Sequence, residues 1–289
     1  MHDTLIEPAR LAPHVGDPDW AIVDCRFDLA RPAWGAGAFA RAHVPNAVYA
    51  DLDHDLSGAR GAHTGRHPLP EVASLAATFG RLGIDERVQV IAYDQGLAAF
   101  AARLWWLLRW LGHRRVAVLD GGLPAWEAAG LPLSTEPTVR APRTFRARPD
   151  DSVWVRSETL AAAVASGELR GGTARLLDAR AADRFAGENE TLDPVAGHVP
   201  GAVNHPFSAN HDGAGRFLPA AELAGRLRAA LAGAPASAAI AMCGSGVTAC
   251  DNLLALEVAG LPGARLYAGS WSEWITDPRR PVARGAQSG

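Results

Sequence analysis

The chain has 289 residues, 48% apolar and 20% charged, enough for one large or two ordinary domains and unlike a disordered or collagen-like polymer. The net charge of −3 offers no basic field of the kind that nucleic acid or a membrane surface would attract, so neither is expected as a partner. All 28 cationic side chains are Arg, and the absence of Lys removes Schiff-base and P-loop chemistry.

Three cysteines, Cys25, Cys243 and Cys250, are too few for a disulfide framework and point to a reducing, cytoplasmic compartment. The opening MHDTLIEPARLAP lacks a basic segment followed by an apolar one, so no signal peptide is expected. The longest uncharged stretch, 229–250, has the length of a membrane span. Gly233, Pro235, Gly244 and Gly246 break it, and it reads as a helix end, a loop, a buried strand and a second loop.

In chain order, an apolar run over 21–23 ends in Asp24-Cys25-Arg26, and His43-Val44-Pro45-Asn46-Ala47-Val48 follows. A helix is predicted over 71–82. A strand over 88–93 then enters Asp94-Gln95-Gly96. Residues 97–111 form a helix that is apolar nearly all round, with three Trp as core packing. A short strand over 116–119, Gly121-Gly122 and Trp126 close the series.

The series then repeats at a period of about 150 residues. A helix is predicted over 157–166 and a strand over 176–178, ending in Asp178-Ala179-Arg180. His198-Val199-Pro200-Gly201-Ala202-Val203 follows. A helix over 220–231 leads to a strand over 238–242 and the loop Cys243-Gly244-Ser245-Gly246-Val247-Thr248. A helix over 249–259, a strand over 265–267 and Gly269-Ser270-Trp271 close the second copy. The intervening stretch 134–150, rich in Pro and Arg, reads as an exposed linker between domains 1–133 and 151–289. Short apolar runs alternating with helices predict an α/β fold, each domain a parallel sheet flanked by helices.

In such sheets ligands sit beyond the carboxyl ends of the strands. Asp94 and Cys243 occupy that place in the two copies, and only the second is a nucleophile. A tight strand-to-helix turn with Gly244 and Gly246 aims its amides inward, toward an anion on the Cys243 sulfur. A helix dipole supplies only about 0.3–1 kcal/mol, whereas hydrogen bonds to a charged group supply about 1.5–3 kcal/mol each. The loop amides, with the hydroxyls of Ser245 and Thr248 as further donors, are therefore expected to carry most of the thiolate stabilisation. Cys25 and Cys250 read as structural.

The CGSGVTAC loop, the two HVPxAV copies, DGGLPAW and GSWSEW resemble the rhodanese superfamily over about residues 5–282. Within it, they are similar to the two-domain 3-mercaptopyruvate sulfurtransferases. The resemblance implies an inert first domain and a second domain whose cysteine cycles through a persulfide, without a cofactor or metal. It implies a relay of Cys243, Ser245, His67 (in Gly65-Arg66-His67-Pro68) and Asp53 (in Asp51-Leu52-Asp53). It also implies a small-molecule sulfur donor and a thiol acceptor, such as thioredoxin or a small thiol, or cyanide. Arg184 matches one of two substrate arginines. The segment 187–193 is short and lacks the other, leaving Arg66 or Arg180 to replace it, with Gly244, Gly246, Val247 and Thr248 completing the substrate loop.

Neutral Gly244 and Ser245 favour mercaptopyruvate over the thiosulfate dianion. Thiosulfate as donor, and a non-catalytic sulfur-binding module, are the alternative readings. A dual-specificity phosphatase would need Arg where Ala249 stands, and the ten histidines show no metal-ligand spacing.

Overall fold

The structure, a computed structural model, describes residues 1–286. It contains two five-stranded, all-parallel sheets. The first is built from β1 (Leu5–Ile6), β2 (Trp20–Asp24), β3 (Val48–Tyr49), β4 (Gln89–Tyr93) and β5 (Val116–Leu119), in the order β1-β5-β4-β2-β3. The second uses β6 (Trp154–Val155), β7 (Arg175–Asp178), β8 (Ala202–Asn204), β9 (Ala239–Met242) and β10 (Arg265–Tyr267), in the order β6-β10-β9-β7-β8. Strand for strand this is one topology used twice. The helices Ser157–Ser166 and Ala220–Leu231 have the bounds that sequence predicts, and those at Val72–Arg81 and Ala249–Val258 differ at their ends by one residue.

By their contacts, residues 1–58, 69–150 and 211–217 form one compact unit, and residues 59–68, 151–210 and 218–286 form the other. The stretch 134–150, read from sequence as an exposed linker, is fastened along the first unit. The Arg143 amide donates to Gly80 O (2.9 Å), and the Arg148 amide donates to Leu111 O (2.9 Å). The Arg143 guanidinium pairs with Asp85, and the buried Phe145 ring meets Phe79 edge-on. A Cβ on Gly80 would lie 2.6 Å from Arg143 O, so the bare glycine permits this approach.

The repeated HVP motif has a structural cause in each unit. His43 stacks on Phe39, donates from Nδ1 to Phe39 O, and pairs its backbone with Ser134. His198 does the same with Phe185 and Ala283. Val44 and Val199 are wholly buried beside them. Asp24 and Asp178 each end a central strand, and each accepts a forked bond from the arginine two residues on. Arg26 then reaches Ala42 O, and Arg180 reaches Gly197 O, so each pair ties its strand end to the segment before the histidine.

Apolar side chains fill both faces of each sheet. Ile22, Ile91, Tyr93, Leu119 and Trp126 make up one core cluster, and Leu176, Ile240, Met242, Tyr267, Trp271 and Trp274 make up the corresponding one. The all-apolar segment after β4 is helical over Ala101–Trp110 with Trp105, Trp106 and Trp110 buried. It starts four residues later than its pattern suggests, because residues 95–100 are drawn into the loop that follows Asp94.

Candidate active site

The loop 243–248 joins β9 to the helix Ala249–Val258. Its backbone is pinned from the turn after β10. The Cys243 amide donates to Ser270 Oγ (3.0 Å), and that hydroxyl donates to Tyr267 O (2.9 Å). The amides of Trp271 and Ser272 donate to the carbonyls of Cys243 and Gly244. With its outward groups satisfied, the loop turns two amides onto the Cys243 sulfur, Ser245 N at 3.4 Å and Gly246 N at 3.1 Å. Gly246 has φ +76, and a Cβ there would sit 2.2 Å from Ala268 O, so only glycine fits. Two amide donors thus converge on a sulfur that is 2% exposed.

Ser245, next to the sulfur, holds its hydroxyl 2.7 Å from His67 Nδ1, and both side chains are buried. Depending on the tautomer, the hydroxyl donates to a bare Nδ1 or a protonated Nδ1 donates to the oxygen, so the pair can pass a proton in either direction. His67 comes from segment 59–68, which belongs to the second unit. A Cβ on Gly65 would lie 2.5 Å from Gly269 O, and the Arg66 amide donates to Ser272 Oγ (3.0 Å). The segment is thereby laid against the same turn that pins Cys243.

Two guanidinium groups converge above Gly244. A Cβ at that glycine would lie 2.7 Å from Arg66 Nη2, and 3.5 and 3.6 Å from Arg184 Nη2 and Nη1. Arg184, on the helix Ala182–Ala186, pairs with Glu190 through Nε and Nη2 and with Asp193 at 3.3 Å. Arg66 Nη1 pairs with Asp193 Oδ1. Burial pushes the Glu190 carboxyl up, but its bonds from Arg184 and from the Leu192 and Asp193 amides prevail and hold it below its ordinary value. At Asp193 burial prevails over the arginines and holds the carboxyl above the usual range.

A rhodanese-like domain model matches residues 7–129 and again 160–277. The chain belongs to the rhodanese family of sulfurtransferases. It is 50% identical, over 97% of its length and 98% of the relative's, to a probable 3-mercaptopyruvate sulfurtransferase of Pseudomonas aeruginosa. It is 42% identical, over 97% of both chains, to a putative thiosulfate sulfurtransferase of Mycobacterium tuberculosis. Among solved structures it is similar to the 3-mercaptopyruvate sulfurtransferase of Leishmania major, with a TM-score of 0.84 at 32% identity, covering 96% of this chain and 75% of that one.

The rhodanese frame shows why the other sequence candidates lie where they do. Arg180 is not brought over Gly244 with the other two arginines. Its guanidinium is 1% exposed, bonds Asp178 and Gly197 O as its twin Arg26 bonds Asp24 and Ala42 O, lies over the Trp271 ring, and touches the site only through Glu190 at 3.5 Å. Thr248 is the first-turn boundary of the helix, where it makes no side-chain cap bond, and Val247 is buried. Asp53 belongs to the first unit, in a turn where its amide donates to Asp51 Oδ1. Cys250 donates to Gly246 O (3.4 Å), and burial together with Asp24, Asp94 and Asp55 pushes the Cys25 thiol well above its ordinary range.

Sequence reasoning missed three residues of the site, Ser270, Glu190 and Asp193. Ser270 stands where Gly122 stands in the first copy, and both residues have positive φ, the only available signal. Nothing local marks the two acids. Among the described residues no group of His, Cys, Asp or Glu is placed to hold a metal, and no helix is long and apolar enough to cross a membrane.

Proposed function

We propose that the protein is a 3-mercaptopyruvate sulfurtransferase in which the Cys243 sulfur carries the transferred atom as a persulfide. The observation that carries this reading is the sulfur itself, facing two loop amides beside the Ser245–His67 hydrogen bond. The Cys243 thiolate attacks the donor's sulfur, an S–S bond forms, and the donor's C–S bond breaks with its electron pair passing to the pyruvate enolate. The proton released from the donor thiol is passed through Ser245 and His67 to the enolate, and the terminal persulfide sulfur stays behind as an anion on the loop amides. The resemblance of Asp51-Leu52-Asp53 to the family pattern supports Asp53 as the third member of this relay.

Arg66 and Arg184 take the donor's carboxylate. Their convergence over Gly244 supports Arg66, rather than Arg180, as the second arginine. Gly244, Gly246, Val247 and Thr248 shape the loop that the donor enters. Domain 1–133 is the inert one, with Asp94 where the second domain has its nucleophile, and 151–289 carries the chemistry. A thiol, thioredoxin-like or small, or cyanide then removes the sulfur. Three free cysteines favour a reducing, cytoplasmic setting.

Treatment with mercaptopyruvate without an acceptor should add one sulfur, about +32 Da, to the peptide containing Cys243. Addition at Cys25 or Cys250 instead would overturn the assignment. Donor kinetics under one acceptor decide between mercaptopyruvate and thiosulfate, and a higher kcat/KM for thiosulfate would overturn the donor reading.

A further inference from the structure

Arg66 and Arg184 form a site for a carboxylate, and a carboxylate of this chain already lies in it. Asp193 offers one oxygen to each arginine, Oδ1 to Arg66 Nη1 and Oδ2 to Arg184 Nη2. Bridging two guanidinium groups through separate oxygens is how a bound carboxylic acid would lie there. The Asp193 side chain is 3% exposed, and the arginines it joins are 22% and 19% exposed. The place is next to the reacting sulfur, because both guanidinium groups overhang Gly244, the residue after Cys243.

Glu190 plays a different part. It accepts from Arg184 through Nε and Nη2 and from the Leu192 and Asp193 amides, so it holds the arginine and the loop at once. Among the described residues the Asp193 side chain bonds the two arginines, and it is the carboxylate that can be exchanged without undoing that anchor.

We propose that Asp193 is a built-in competitor for the donor's carboxylate, and that it must leave Arg66 and Arg184 before a donor can be held over Cys243. The proposal rests on the reading that these two arginines take the donor's carboxylate. It adds a rule for selectivity. Arg66, Arg180 and Arg184 balance Asp178, Glu190 and Asp193, so the cluster sums to zero charge. A monocarboxylate replaces Asp193 charge for charge, whereas a dianion such as thiosulfate adds a surplus negative charge beside Glu190. An acid on the loop therefore tunes the site toward keto acids. No bond is made or broken in the exchange.

Binding rather than turnover tests it, so that a failure of the donor reading is distinguishable. With Cys243→Ser protein, calorimetry reads the affinity for pyruvate and, separately, for inorganic sulfate. If Asp193 fills the site nine-tenths of the time or more, its removal should tighten pyruvate binding at least about tenfold. Both Asp193→Asn and Asp193→Ala should show this, with a larger gain for sulfate than for pyruvate. Adding Arg66→Gln should abolish the gain. Unchanged or weaker pyruvate binding in both variants, or no measurable binding in any protein, would overturn the proposal. A gain confined to sulfate would do the same. A crystal structure of the Cys243→Ser protein with pyruvate needs no change at residue 193. Asp193 must there be off both arginines, and its persistence between them beside bound pyruvate would overturn the proposal as well. A turnover preference for thiosulfate would remove the donor reading and leave these binding results standing.

Discussion

The strand-to-helix loops that begin at Asp94 and at Cys243 occupy the same place in the two sheets and aim their amides at different groups. In the first, the Asp94 carboxylate folds back into its own loop and takes the amides of Gly96 (2.9 Å), Phe100 (2.9 Å) and Ala101 (3.2 Å). In the second, a sulfur takes two amides and keeps capacity for more. The first loop thus holds a fixed carboxylate where the second holds a thiol sulfur. A cradle of amides is stable when filled by a fixed carboxylate and chemically useful when left to a thiol. The two copies differ in the leading side chain, in the path of the loop, and in the Ser245–His67 hydrogen bond beside the second.

The most severe break in that comparison is to exchange the side chains. Cys243→Asp should give the second loop the carboxylate arrangement of the first and abolish sulfur transfer, by at least about 10³-fold in kcat. In the same protein Asp94→Cys should gain no persulfide by mass spectrometry, because no hydroxyl–imidazole pair accompanies that position. A persulfide at residue 94 would show that the cradle alone suffices.

Removing the hydroxyl sharpens the comparison further. Ser245→Ala should lower mercaptopyruvate turnover by about 10²–10⁴-fold while thiosulfate turnover falls much less, because sulfite departs without a proton. Equal losses with both donors would remove Ser245 from proton transfer.

Stability separates the loops next. Gly246→Ala meets both a left-handed φ and Ala268 O at 2.2 Å, whereas a Cβ at Gly96 has nothing within 4 Å. Urea unfolding should therefore find Gly246→Ala destabilising by about 3 kcal/mol or more and Gly96→Ala by about 1–2 kcal/mol, the strain alone. Asp94→Ala, which strips three loop amides of their acceptor, should cost about 2–4 kcal/mol while kcat/KM stays within about twofold of the parent protein.

The smallest effect concerns pH. Glu190 is held below its ordinary value, so its pairing adds stability above the usual carboxylate range and loses it as pH falls through that range. Glu190→Gln should flatten the acid limb of Tm against pH. An unchanged limb would mean that the Arg184–Glu190 pair contributes nothing net.

Most of the scaffold was legible because its central strands and long helices obey one rule each. Runs such as 116–119 and 265–267 are apolar and short, and the helices at 157–166 and 220–231 are continuous and amphipathic. The two-residue edge strands β1 and β6 were not legible, since two residues carry no period. The fastening of 134–150 was hidden for a related reason, because backbone bonds to Gly80 and Leu111 leave no trace in side-chain pattern.

At the site, Cys243, Ser245 and His67 were read from motif, and the structure brings Ser245 and His67 into hydrogen bond. Arg180 could have been set aside from sequence, because Asp24-Cys25-Arg26 and Asp178-Ala179-Arg180 are twins, and a feature shared with the copy that has no cysteine in its loop argues for structure over chemistry. Asp193 was not legible. Its meaning depends on two arginines 127 and 9 residues away, and no local pattern encodes that meeting.

The membership of segments 59–68 and 211–217 in the unit opposite to their place in the chain has a consequence for divisibility. Each corresponds to the other in the repeat, following β3 and β8 respectively, so the trade is reciprocal. A gene cut at the midpoint would yield a second half lacking Arg66 and His67, and a first half lacking Phe217, whose amide donates to Asp120. Neither half of the chain therefore contains all the segments of its own unit. A swap of one half for that of a distant relative is expected to succeed only if the loaned segment travels with its recipient.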